Sequence, residues 1–192
     1  MRLVLGSRNP HNLRELGELL VPYELGPVPP EVELPPETGS TFAANALVKA
    51  RASAAGAGAT ALGEDSGIVV AALGGAPGVR SARYAGEEAS DEQNLDKLLR
   101  ETEGAEDRAA AYVCALAIGT EGGQERVFEG RCEGRLARVP RGSGGFGYDP
   151  IFIPSEGPDV ETTIAQLAPA SKNAISHRGK AARLLLAWLE QR

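Results

Sequence analysis

A chain of 192 residues with 42% hydrophobic and 24% charged side chains has the make-up of an ordinary globular protein, and its length suits a single domain over 1–192 with a proper buried core. A formal net charge of −6 argues against a broad nucleic-acid surface, which needs a basic face to displace counterions, and no apolar run approaches the roughly 20 residues that span a bilayer. Polymeric nucleic acid and membrane are therefore not expected partners, and two cysteines without C-x-x-C spacing or a nearby histidine, Cys114 and Cys132, point away from disulfide or zinc frameworks and towards a cytoplasmic setting.

Met1-Arg2-Leu3-Val4-Leu5-Gly6 reads as a first strand, because charged and polar residues follow at once where a leader would stay apolar. A helix follows with Leu13, Leu16, Leu19 and Leu20 at helical spacing and Pro10 in its tolerant first turn. A strand near Tyr23 to Leu25 gives way to a proline-rich loop, and a helix from Phe42 to about Ala55 takes Thr41 as its cap. Thr60 to Leu62 and Ile68 to Leu73 read as two strands separated by Glu64-Asp65-Ser66-Gly67, and Gly74 to Gly78 as a turn. Ser90 caps a helix through Leu95, Leu98 and Leu99, while Ala109 to Gly119 and Arg126 to Val139 suit an antiparallel pair of strands. Ile151 to Ile153 forms a short strand between prolines, and the last helix starts near Ser176. The interleaving of strands and helices, interrupted by a hairpin, predicts an α/β fold around a mixed sheet.

Four segments carry candidate chemistry. Ser7 to Asn12, between the first strand and the first helix, reads as a phosphate cradle or as ordinary capping. Glu64 and Asp65, joined by Glu37, suit an oxygen-loving cation such as Mg2+; a solvated turn is the plainer alternative. Gly142 to Pro150 contains a formal G-x-G-x-x-G, but it does not open a helix after a strand. It reads either as a hairpin connection or as a loop offering Phe146 or Tyr148 for stacking and Asp149 for hydrogen bonding. His177 and Arg178 open the last helix, where the dipole disfavours cations unless an anion or polar ligand is near. Cys114, inside an apolar strand, reads as core.

Taken together, Ser7-Arg8-Asn9, Glu37 to Phe42, Asn45 to Ala50, Asp65-Ser66-Gly67, Gly74 to Gly78, Ser81 to Tyr84, Gly145 to Pro150 and Ser176 to Gly179 resemble, in order, the inosine/xanthosine triphosphate pyrophosphatase family. The resemblance covers essentially the whole chain. It implies a mixed, strongly twisted central sheet flanked by helices, two lobes with the active site in the cleft between them, and a homodimer. It also implies Mg2+-dependent hydrolysis of ITP, dITP and XTP to the nucleoside monophosphate and pyrophosphate. Asp65 would be the catalytic base, and Glu37, Asp65 and Glu64 would hold the metal. Ser7, Arg8, Asn9, Pro10, His11, Asn12 and Lys49 would line the phosphates. Ser66, Phe146, Gly147, Tyr148, Asp149, Lys172, His177 and Arg178 would complete the nucleotide site, with Arg178 or His177 donating to the 6-oxo group of the purine. Two departures stand out: Asn12 where that family usually has lysine, and Glu64 where it usually has aspartate. Arg8, where glycine is usual, is the expected source of the missing cation.

Overall fold

The computed structural model describes residues 2–120 and 122–191. Met1, named above as the start of the first strand, lies outside them. Six strands, β1 (Arg2–Gly6), β2 (Glu24–Pro27), β3 (Ala61–Val70), β4 (Ala109–Gly119), β5 (Glu125–Leu136) and β6 (Phe152–Pro154), form one open sheet in the order β2-β1-β3-β4-β5-β6. Both neighbours of β1 are parallel to it, with Val4 opposite Gly26 on one side and Ala61 on the other. β6 runs antiparallel to β5, so the sheet is mixed and the fold is α/β as expected.

The helices are α1 (Pro10–Leu19), α2 (Phe42–Ala57), α3 (Asp91–Glu101), α4 (Pro169–Ile175) and α5 (His177–Leu189). Their starts follow local chemistry. Asn9 accepts from the His11 amide ahead of Pro10, Thr41 Oγ1 accepts from the Ala44 amide, and Ser90 and Gln93 satisfy each other's backbone in a capping box. The last helix, α5, starts where the sequence places it, near Ser176, whereas the short α4 before it was not expected.

One expectation is corrected. Glu64 to Gly67 is not a turn between two strands but the middle of the continuous β3. The reason is packing. A methyl on Gly63 would lie 1.9 Å from the Ala46 carbonyl oxygen and 2.6 Å from the Ala50 nitrogen. The strand can therefore meet the backbone of α2 only where no side chain intervenes, and a glycine that resembles turn punctuation is a packing surface.

The chain divides into two compact units, one of residues 1–65, 114–130 and 177–192, the other of 66–113 and 131–176. Leu3, Leu5 and Leu62 centre the first core with Leu16 of α1 and Leu185 of α5, and Cys114 is fully buried among them. The second core gathers Ile68, Leu98, Leu136 and Phe152, again around a buried thiol, Cys132. There the Tyr112 and Phe152 rings meet at 4.7 Å in a tilted arrangement, close to the geometry that ring quadrupoles favour.

Candidate functional site

Successive residues of a strand face opposite sides of the sheet, and in the first unit this separates the two acids of β3. Asp65 turns to the α2 side, as Gly63 does. Its Oδ2 accepts from Asn45 Nδ2 at 2.9 Å, and its Oδ1 lies 3.7 Å from Lys49 Nζ. Lys49, one helical turn after Asn45, also donates to Glu37 Oε1 at 2.6 Å. One ammonium thus stands between two carboxylates, a place an oxygen-seeking cation also suits. Burial drives the Asp65 pKa up from 3.8 to about 6 against the pull of Lys49 and the Asn45 hydrogen bond, with Glu37 and Glu64 adding to the rise. Burial alone would depress the Lys49 pKa, but Asp65, Glu64 and Glu37 outweigh it and hold the ammonium above its usual range.

Glu64 turns to the other side and enters a different network. Arg178, at the start of α5, donates from Nε to Glu64 Oε1 and from Nη1 to Glu15 Oε2, both at 3.2 Å, and from Nη2 to Asn12 Oδ1 at 3.0 Å. Asn12 closes the ring by donating Nδ2 to Glu64 Oε2 at 2.6 Å. All four side chains are buried. The guanidinium serves three acceptors from three separate nitrogens, a spread that the single nitrogen of a lysine could not reproduce. Cys114 Sγ lies 3.8 Å from Glu64 Oε1, and burial followed by that charge pushes its thiol well up, the opposite of what a nucleophile needs.

The remaining residues expected on the first loop have local roles. Ser7 Oγ accepts from the Asn9 amide and Asn9 Oδ1 from the His11 amide, with Pro10 opening α1 between them. His11 Nδ1 lies 3.5 Å from Arg14 Nη2. Arg8 donates Nη2 to the carbonyls of Val32 and Pro30, at 3.1 and 3.4 Å. It braces the proline-rich loop, and the cation beside Asn12 is Arg178. His177 is buried, with its backbone oxygen against Gly130.

In the second unit the glycine run forms a loop with Gly142, Gly145 and Gly147 at positive φ. Asp149 Oδ2 accepts from the Phe146 amide at 3.1 Å and from Lys172 Nζ at 2.9 Å, and that ammonium lies 4.9 Å from the centre of the Phe146 ring. The Gly147 amide donates to Asp91 Oδ2 at 2.8 Å. Phe146 is half-buried, whereas Tyr148 is buried and its hydroxyl donates to the Ser81 carbonyl at 2.7 Å. Of the two aromatics offered for stacking, only Phe146 suits the role. Ser66 is half-buried on β3.

Among the described residues no group of three or more histidine, cysteine, aspartate or glutamate side chains is placed to share a metal ion. The donor set suits Mg2+ nonetheless, since that ion takes one or two carboxylates and completes its shell with water and substrate phosphate. Glu37 and Asp65 make such a pair. Glu64, committed to Arg178 and Asn12 on the other face, does not join them. The structure also gives contacts to three residues to which the sequence reading assigned no role: Glu15, and Asn45 and Ser81, which stand in the resembling segments. Asn45 had a legible signal, since it stands four residues before Lys49 on one helix face.

Comparison with known proteins places the chain in a family. The Ham1 family matches residues 3–188. A dITP/XTP pyrophosphatase from Geobacter sulfurreducens is 48% identical over 199 residues, covering 97% of each chain. The structure of a HAM1 protein from Coxiella burnetii superposes with a TM-score of 0.89 at 43% identity, covering both chains fully. The Staphylococcus aureus Ham1 protein gives 0.88 at 39% identity, covering 100% of this chain and 99% of its own.

Proposed function

The chain belongs to the Ham1 family, and from that premise we propose that it hydrolyses non-standard purine nucleoside triphosphates, ITP, dITP and XTP, to the monophosphate and pyrophosphate. The observation that carries the reading is Asp65. It is a buried carboxylate with one oxygen fixed by Asn45 and the other facing Lys49, which gives a proton acceptor a set orientation. A phosphoanhydride needs little covalent help; it needs a placed water and neutralised oxygens.

Asp65 accepts the proton of the attacking water as the anhydride bond breaks, and the bridging oxygen leaves with pyrophosphate. Lys49 sets its charge against the phosphate oxygens. Glu37 and Asp65 are the residues that would hold Mg2+, which when bound screens phosphate charge. Ser7 to Asn12, at the N-terminus of α1, take the far end of the triphosphate, where the helix dipole favours negative charge. Phe146 stacks on the purine, a contact worth about 1–3 kcal/mol. Lys172, held by Asp149, supplies a donor for the 6-oxo edge. Arg178 donates to Glu64, Glu15 and Asn12 and so orders the residues around the site. Among the described residues no helix is long and apolar enough to cross a membrane; the homodimer and the cytoplasmic setting belong to the same proposal.

Pyrophosphate release from ITP, dITP, XTP, GTP and ATP, with Mg2+ and with chelator, tests the reading. The 6-oxo deaminated purines should be turned over only with the metal. Binding of dITP without any pyrophosphate release would overturn hydrolysis and leave a nucleotide-binding protein.

A further inference from the structure

We infer that Asn45 is a positioning residue that holds the Asp65 carboxylate in register with the loop carrying Glu37, so that one buried amide ties together the two acids assigned to the metal. The inference rests on the reading just given for those acids. Asn45 is 2% exposed in the first turn of α2. Its Nδ2 donates to Asp65 Oδ2 at 2.9 Å, and its Oδ1 accepts from the Gly39 amide at 2.8 Å. The amide can point only this way: reversed, its oxygen would face a carboxylate and its NH2 a backbone N–H.

Gly39 lies two residues from Glu37, and the loop is seated as tightly as a hydrogen bond permits. A methyl on Gly39 would come within 2.6 Å of Asn45 Oδ1 and 3.0 Å of Ala44 Cβ. One turn further along the same helix face, Lys49 reaches both acids. Asn45 and Lys49 therefore brace the Glu37–Asp65 spacing from one rigid element. Their division of labour is by charge. Lys49 competes with a divalent ion for the carboxylates, whereas Asn45 is neutral, engages only Oδ2 and leaves Oδ1 turned towards Lys49. Outer partners of this kind typically govern metal affinity or activity by about 10–100-fold.

Isothermal titration of Mg2+ into the wild-type chain, Asn45→Ala, Gly39→Ala and the double variant, beside kcat and KM for dITP, tests this. Asn45→Ala should weaken Mg2+ binding about 10–100-fold and lower kcat by a similar factor, with KM changing less than about threefold. Gly39→Ala displaces the same amide without deleting it, so it should move the same quantities in the same direction. It also decides the matter if Asn45→Ala does not fold. In the double variant the effects should not add, because both act through one contact. A wild-type chain that takes up no Mg2+ overturns the metal reading, and this inference with it. Wild-type, Asn45→Ala and Gly39→Ala chains that bind Mg2+ alike, with equal kcat, overturn this inference alone.

Discussion

Replacing Asp65 by asparagine separates what this carboxylate costs the fold from what it does for the reaction. Burial, partly offset by Lys49 and Asn45, takes its pKa from 3.8 to about 6, which corresponds to about 3 kcal/mol against the charged form. In the absence of metal, the unfolded chain loses this proton around pH 4 and the folded chain holds it until about pH 6. Between those values the folded state binds more protons, so the stability linked to Asp65 is full below pH 4 and is lost as pH rises through 6. Asparagine carries no charge to bury and retains an oxygen for the Asn45 donor. Above pH 7 Asp65→Asn should therefore be the more stable protein by up to about 3 kcal/mol. At about 2–4 °C per kcal/mol for a chain of this size, its Tm should exceed that of the wild type by several degrees at pH 8. The two should converge at pH 4, where Asp65 is neutral. Thermal unfolding in chelator across pH 4–8, beside pyrophosphate release from dITP, measures both sides. A variant no more stable than the wild type at pH 8, or a Tm gap that does not change with pH, would refute the reasoning.

Removing Arg178 leaves Glu64 and Glu15 buried without their cation, and losing one partner of a buried pair typically costs about 3–5 kcal/mol. Arg178→Ala should show that loss in urea unfolding, and Arg178→Lys should recover only part of it; a loss below about 1 kcal/mol would contradict the network. Gly63→Ala places a methyl 1.9 Å from a helix carbonyl, a clash with backbone that side-chain rotation cannot relieve. It should be recovered insoluble or destabilised by more than about 3 kcal/mol, at the severe end for overpacking. Wild-type solubility and an unchanged Tm would argue against that packing.

The sequence was most readable where local chemistry decides the outcome. Asn9, Thr41 and Ser90 open their helices as their side chains suggest, and the extended run Ala109–Gly119 is a strand to the residue. It was least readable where tertiary packing reverses a local cue. Gly63, Glu64, Asp65, Ser66 and Gly67 have the composition of a turn, yet α2 and Ser81 approach so closely that glycine is needed within a strand; a methyl on Gly67 would meet Ser81 Oγ at 2.3 Å. The same misreading joined Glu64 to Asp65 as neighbouring ligands, although a strand sends adjacent side chains apart. The Arg178 network escaped notice for another reason. Its members are separated by as many as 166 positions, and no spacing rule brings such residues together.

Each unit contains a single cysteine deep in its own core: Cys114 is 0% exposed and Cys132 is 1% exposed. A thiol reagent cannot reach either until the surrounding structure opens. Labelling rates at the two sulfurs, resolved by mass after digestion, therefore give two independent clocks for local opening in one unmodified molecule. Run with and without nucleotide, such clocks would show which half of the chain a ligand steadies, with no probe added.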